Sequence, residues 1–188
     1  LKAFNEKGDR AQTSLLYGQR ISKASDRCEF FGTVDEAVSA LGLARALAGK
    51  EKVREILFAL QKEMFIPAAE LAVPPEHYTE YSFRGPVVTE EMVRRITLLV
   101  EEMEEVVAVP QEFVIPGETA ASAAIDLARA VVRRAERRAV RLFEDGQLPN
   151  ENILKYLNRT ADLLFLLARY EEDRVKSVPG DLGCSLEC

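Results

Sequence analysis

The strongest constraint on how this chain folds is the stretch from Phe113 to Phe143, FVIPGETAASAAIDLARAVVRRAERRAVRLF. A short β-branched run meets Pro116-Gly117, and apolar residues then recur at helical spacing until Gly146. That pattern predicts one long amphipathic helix. Its apolar face, Ala124, Leu127, Ala128, Val131, Ala135 and Leu142, is made largely of small side chains and suits close packing against neighbouring helices. Six arginines lie on the same helix. At about 100° per residue, Arg129, Arg133 and Arg137 drift by only about 80° in total and form one stripe, with Glu136 beside it. Two readings of the stripe are open from its own residues. One is a solvated face paired with acidic neighbours such as the EEMEE run at 101–105. The other is a planar-fork cluster for phosphate, a task for which arginine is better shaped than lysine.

Composition removes several classes of function. The chain has 188 residues, 47% hydrophobic and 30% charged, which suits one domain with a full core. No uncharged apolar run reaches the length of a membrane span and no signal-peptide pattern opens the chain, so neither membrane nor export is expected. A net charge of −6 argues against general nucleic-acid binding. Three cysteines without a framework, Cys28 alone and Cys184 with Cys188 as C-x-x-x-C, fit a reducing compartment. The expected setting is therefore the cytoplasm; because the first residue is Leu1, a removed leader and an organelle matrix stay open. The terminal cysteine pair reads as a loose tail, with a redox or soft-metal role as the alternative. His77 is the only histidine, which excludes a ferritin-like di-iron site.

Residues 1–31 show little helical periodicity and are expected as loop and short extended pieces. A T-x-x-E capping box at Thr33 to Glu36 predicts the start of the first helix, with Asp35 in its first turn. A second helix runs through Val53, Ile56, Leu57, Leu60 and Met64 to about Leu71, with Pro67 kinking or ending it. Residues 73–88 carry three prolines and a glycine and read as a connector that leaves His77 exposed. Thr89 caps a third helix, the arginine helix is the fourth, and a fifth starts near Asn150 or Glu151, with Asn158 and Asp162 one turn apart on one face. From Lys176 onward the chain reads as an irregular tail. Five helices without a convincing sheet give an all-α, five-helix up-down bundle over residues 32–175, preceded by an N-terminal loop.

Four stretches in order, KGDRAQTSLLYGQRISK (7–23), FFGTVDEAVSALGLA (30–44), FVIPGETAASAAIDLARAVVRRAERRAV (113–140) and YLNRTADLLFLLARY (156–170), resemble the PduO-type ATP:cob(I)alamin adenosyltransferases. The likeness spans roughly residues 4–171, and GTVDE, RAVVRRAER and YLNR together are highly specific. The resemblance implies a homotrimer with sites between subunits, in which the Co(I) of cobalamin attacks the 5′ carbon of ATP and triphosphate leaves. It implies ATP and cobalamin as substrates, Mg2+ with the nucleotide, and delivery of adenosylcobalamin to an acceptor mutase or dehydratase. It assigns the nucleotide to Asn5, Glu6, Lys7, Gly8, Thr13, Ser14 and Lys23 of the N-terminal loop, to Arg133, Arg134, Glu136 and Arg137, and to Asn158. It also pairs Asp35 with Arg129 across subunits and sets Phe113 against the lower face of the corrinoid. No dedicated protein cage for a metal is visible.

The chain departs from the family pattern at its N-terminus. Asn5-Glu6-Lys7 replaces the usual Thr–Arg/Lys–Thr, which sets the negative Glu6 near a polyphosphate. Ala11 replaces a customary glycine, a restriction that matters if the position needs positive φ. Glu118 stands after Pro116-Gly117 where a second glycine is usual, and Thr160-Ala161 follows YLNR in place of Leu-Ser. These changes keep open a second reading, a non-catalytic corrinoid carrier, chaperone or sensor on the same scaffold.

Overall fold

Helix formation begins earlier than the capping-box motif suggests. In the computed structural model, which describes residues 8–176, α1 spans Asp26–Leu47 and is capped by Ser25, whose side chain accepts from the Cys28 N–H. Thr33 lies inside α1, buried, and its hydroxyl donates back to the Glu29 carbonyl at 2.6 Å, the usual behaviour of a mid-helix threonine. Residues 26–31, expected as loop, are thus the first turns of the bundle, and Asp35 sits too deep in α1 to serve the helix dipole. Ahead of α1, β1 (Gln12–Ser14) and β2 (Arg20–Ser22) form an antiparallel hairpin around a 3-10 turn at Leu16–Gly18. Asn5, Glu6, Lys7, Cys184 and Cys188 fall outside the described residues.

The expected second helix is two, α2 (Glu51–Glu63) and α3 (Phe65–Leu71), joined at Met64. Pro67 lies in the first turn of α3, where a missing N–H leaves no gap in the ladder. The connector is partly helical: a 3-10 turn at Pro75–His77 leads into α4 (Tyr78–Arg84). Thr89 caps α5 (Glu90–Val106) as expected, accepting from the Met92 N–H at 3.2 Å. The arginine helix α6 (Ala120–Glu144) opens on a capping box between Thr119 and Ser122. It closes at Gly146, whose φ of 65° turns the chain while Gln147 N–H reaches the Leu142 carbonyl and Gly146 N–H that of Phe143. The last helix, α7, spans Asn152–Glu171.

The long helices form the expected bundle. Helix α6 is packed between α1 and α7, α5 lies against α7, and α2 and α3 lie against α1. The small face of α6 supports this: Ala124, Ala128, Val131, Ala135 and Leu142 are all buried, and alanines let neighbouring helix backbones approach closely. Leu127, expected on that face, is 53% exposed; about 100° from Ala128, it lies past the edge of the stripe.

One charged group is fully buried between α6 and α7. Arg169 donates through Nη2 to Asp126 at 2.6 Å and to Glu172 at 2.8 Å, and through Nε to Glu172 at 2.8 Å. Burial alone would lower the Arg169 pKa, but the hydrogen bonds to Glu172 and Asp126 outweigh it and raise it. Burial likewise pushes the Glu172 carboxyl up, and Arg169 overrides this to leave it below its ordinary value. A depressed carboxylate stabilises the fold above its unfolded pKa, and that stability is lost as pH falls through the lower folded value.

Two outcomes are expected. Asp126→Ala leaves part of a buried guanidinium unpaired and costs about 3 kcal/mol, the low end for such a break because Glu172 still pairs; urea melts at neutral pH measure it. Ala11 adopts φ 55°, left-handed backbone that glycine takes without penalty. Ala11→Gly should slow hydrogen exchange of the Lys23 amide, which bonds the Ala11 carbonyl at 3.0 Å, by roughly two- to fivefold, on the scale of relieving about 1 kcal/mol; faster exchange would contradict it.

Candidate active site

Helical arithmetic divides the six arginines of α6 into two flanks of its buried stripe. Measured from Ala128, Arg129, Arg133 and Arg137 fall at about +100° to +180°, and Arg138, Arg134 and Arg141 at about −80° to −140°. The second set faces α1 and is paired there: Arg134 with Glu36, Arg138 with Glu29 at 3.0 Å and Arg141 with Asp26 at 3.3 Å. Arginine–acid pairing therefore occurs, but with α1 rather than with residues 101–105, and it consumes the other stripe. Among the described residues Arg129, Arg133 and Arg137 have no carboxylate at ion-pair distance. Arg137 Nη1 instead donates to the Arg133 carbonyl at 3.0 Å.

This unpaired flank faces α7. Asn158 Nδ2 donates to Glu136 at 3.1 Å, and its Oδ1 accepts from Arg159, which reaches Asp162 at 3.4 Å. Arg129 and Arg133 line a cavity of about 350 Å³ with Asp162, Phe165 and Leu166 of α7, Val100 and Glu104 of α5, and Val109. Two guanidiniums lie over the Phe165 ring, Arg129 at 5.4 Å and the buried Arg169 at 5.2 Å, so the bundle's charged core and the cavity share one aromatic side chain. Nothing in the spacing of Phe165 separates it from the apolar positions around it on α7.

The hairpin gathers the remaining nucleotide candidates. Thr13 is half-buried on β1 opposite Ile21, and Ser14 accepts from Arg20 Nη1 at 3.1 Å. Lys23 extends over Gly8, and a Cβ there would stand 3.1 Å from its Nζ, the mobile end of an exposed side chain.

Asp35 and Phe113 lie elsewhere on the chain. Asp35 is exposed and unpaired among the described residues, beside an apolar cavity of about 230 Å³ that includes Phe31, Val38 and Phe65. It makes no contact with Arg129 within the chain. Phe113 is fully exposed in the segment before α6, next to Ile115 at 89% exposed, with Arg174 and Glu118 nearby. It is not a core aromatic, the role an isolated phenylalanine at a helix entry would ordinarily have.

Among the described residues no group of three or more His, Cys, Asp or Glu side chains is assembled for a metal ion, and no helix is long and apolar enough to cross a membrane.

Comparison with known proteins gives one consistent result. Residues 3–171 match the family model described as cobalamin adenosyltransferase. The chain is 36% identical over 171 residues to a corrinoid adenosyltransferase of Citrobacter freundii, covering 91% of this chain and 95% of that protein. It is 34% identical to the corrinoid adenosyltransferase PduO of Salmonella typhimurium, over 90% of this chain and 49% of that protein. To the human corrinoid adenosyltransferase MMAB it is 33% identical, over 90% and 68%. A solved variant of a PduO-type ATP:corrinoid adenosyltransferase from Lactobacillus reuteri, complexed with cobalamin and ATP, has a TM-score of 0.81 at 28% identity, covering 92% of this chain and 96% of that one. With the match to residues 3–171 spanning the hairpin, the arginine helix and α7, the chain belongs to the cobalamin adenosyltransferase family.

Proposed function

We propose that this chain transfers the 5′-deoxyadenosyl group of ATP to the cobalt of cob(I)alamin. The Co(I) electron pair forms the bond to C5′, the C5′–O bond breaks, and its electrons leave with triphosphate. The negative charge gathered on that leaving group calls for preset cations. The observation that carries the reading is the division of α6: one arginine stripe is neutralised by α1, and the other, Arg129, Arg133 and Arg137, has no carboxylate at ion-pair distance among the described residues and lies near Asn158 and the cavity. A paired arginine would already be satisfied; an unpaired one is available for phosphate.

In this scheme Arg133 and Arg137 hold the triphosphate, Asn158 and Glu136 orient the nucleotide from the α6–α7 seam, and Thr13, Ser14 and Lys23 meet the phosphates from the hairpin. Gly8 lies under the Lys23 side chain at the start of the hairpin, and Arg134 has a supporting role, since it is held by Glu36. Magnesium has no protein cage among the described residues; phosphate oxygens and waters are its ordinary ligands. Phe113 presents an exposed apolar ring to the lower face of the corrinoid, where it excludes an axial oxygen or nitrogen ligand. The unpaired Asp35 and Arg129 support a homotrimer in which each meets its counterpart on a neighbour, completing the site between subunits. The buried, unpaired Cys28 fits a reducing compartment, the cytoplasm or an organelle matrix. The carrier alternative rested partly on Ala11, yet Ala11 adopts the left-handed backbone that its position demands, so the substitution leaves the hairpin intact.

Anaerobic mixing of chemically generated cob(I)alamin and Mg-ATP with the protein should yield the adenosylcobalamin spectrum and free triphosphate. A shifted cobalamin spectrum without adenosyl product would establish the carrier instead. Arg133→Ala should lower kcat by roughly 10²–10³-fold, the scale of one lost electrostatic donor. Arg138→Ala, which removes only a surface pair with Glu29, should stay within about tenfold of wild type. Asp35→Asn should reduce turnover together with the assembled mass in sedimentation; unchanged mass and rate would remove the inter-subunit role.

A further inference from the structure

The hairpin's attachment to the bundle is unusual in one respect. Its tip is the 3-10 turn Leu16–Gly18, closed by Leu15 N–H to the Gln19 carbonyl at 2.8 Å and Gly18 N–H to the Leu15 carbonyl at 3.3 Å. Tyr17, at its centre, has φ 61° and ψ 9°, a left-handed conformation that bulky side chains seldom adopt and that persists only when the surroundings enforce it. Core packing does not enforce it, because Tyr17 is 52% exposed. What the ring does meet is His77: the two rings stack with centroids 4.4 Å apart and planes within 9°.

We infer that Tyr17 and His77 form an aromatic latch that fixes the position of the hairpin, making both positioning residues for the ATP half of the reaction. The inference rests on the reading of the hairpin as the nucleotide loop. Beside the stack, the tip is seated by the buried Leu15 and by Leu16 N–H donating to the Ala72 carbonyl at 2.9 Å. The stack adds a directional contact, since offset aromatic pairs hold a preferred plane and separation. Its platform is rigid. His77 closes a turn built on Pro74 and Pro75, with its N–H on the Pro74 carbonyl at 3.0 Å. Directly before that turn, the buried Arg27 guanidinium donates to the carbonyls of Leu71, Val73 and Gln147 at 3.0, 3.2 and 2.9 Å. Those bonds tie the platform to α1 and to the C-terminal end of α6. The latch thus references the hairpin to the same frame that carries the arginine stripe. A triphosphate met from both sides then needs less ordering on binding.

A positioning role predicts a change in KM for ATP with kcat almost unmoved, because no reacting atom is touched. Tyr17→Asn keeps a residue that tolerates left-handed backbone and deletes the ring; His77→Ala deletes the other. Each should raise the ATP KM roughly two- to tenfold, the range expected for one aromatic pair, while kcat stays within about twofold. His77→Phe keeps a stacking ring and should remain near wild type. The double variant should be no worse than either single one, as for two groups acting through one contact. A readout independent of turnover exists because His77 is the only histidine: its imidazole proton resonances should carry a ring-current shift that disappears in Tyr17→Asn. Lys23→Ala serves as reference. If it raises KM while Tyr17→Asn and His77→Ala do not, or if the His77 resonances are indifferent to Tyr17, the latch is overturned. If Lys23→Ala leaves KM unmoved, the nucleotide-hairpin reading itself fails and the latch falls with it.

Discussion

The arrangement of α6 against α7 depends on one desolvated cation. Arg169 is fully buried, and the structure tolerates it because Asp126 on α6 and Glu172 just beyond α7 accept three hydrogen bonds from it. A charge in that environment is far less forgiving of displacement than an apolar contact, because any sliding of α7 along α6 strips it of partners. It therefore fixes register as well as proximity. Register is what the site needs, since Asn158 of α7 must meet Glu136 of α6. The same guanidinium lies over Phe165, whose ring also carries Arg129, so the constraint reaches the cavity through a single side chain. At the same C-terminal end α7 is tied again, by Glu171 accepting from the amides of Gly49 and Lys50 at the α1–α2 junction.

With that register set, α6 acts as a divider. Its alanine-rich stripe brings α1 and α7 in closely on either side, and the two arginine stripes emerge at the two seams. Arg133 and Arg134 are adjacent in sequence and about 100° apart on the helix, yet one is exposed without a carboxylate and the other is paired with Glu36. The acids that make the difference, Asp26, Glu29 and Glu36, all lie on α1. The extension of α1 back to Asp26 therefore has a functional consequence: the first turns hold two of the three carboxylates that neutralise the structural stripe.

Much of this was legible in the sequence. The 3.6-residue period marked the long helices, Thr89 and Gly146 marked boundaries that the structure keeps, and the stripe of Arg129, Arg133 and Arg137 followed from spacing alone. The start of α1 was not legible, because T-x-x-E reads identically as a capping box and as an interior turn. Only the burial of Thr33 and its hydroxyl's bond to the Glu29 carbonyl distinguish them, and both depend on tertiary contacts. Helix α4 was hidden by flanking prolines and a glycine that bound it without interrupting it. Which stripe would be free was also beyond the sequence: the acidic run at 101–105 read as the natural partner, while Asp26 and Glu29, which pair with Arg141 and Arg138, fell in a stretch read as loop. Phe165 and Arg169 were illegible for the same reason: an aromatic and an arginine at bundle spacing reveal their pairing only once a neighbouring helix supplies Asp126.

The positions left unsatisfied share a logic. A folded chain seldom leaves arginines, an aspartate and a large aromatic without partners on faces that its own helices do not cover, unless something else completes them. Arg129, Arg133, Arg137 and Asp35 lack charged partners among the described residues, and Phe113 is fully exposed. The needs differ in chemistry. The unpaired arginine stripe suits a polyanion; an exposed phenylalanine beside Ile115 suits a broad apolar face; a single carboxylate beside an apolar cavity suits one cation presented on a protein surface. Under the proposed function, ATP, a corrinoid and a second subunit would meet these three demands in turn. Under that same proposal the site would be complete only with all three present, so that Co(I) chemistry would be confined to an assembled and loaded enzyme.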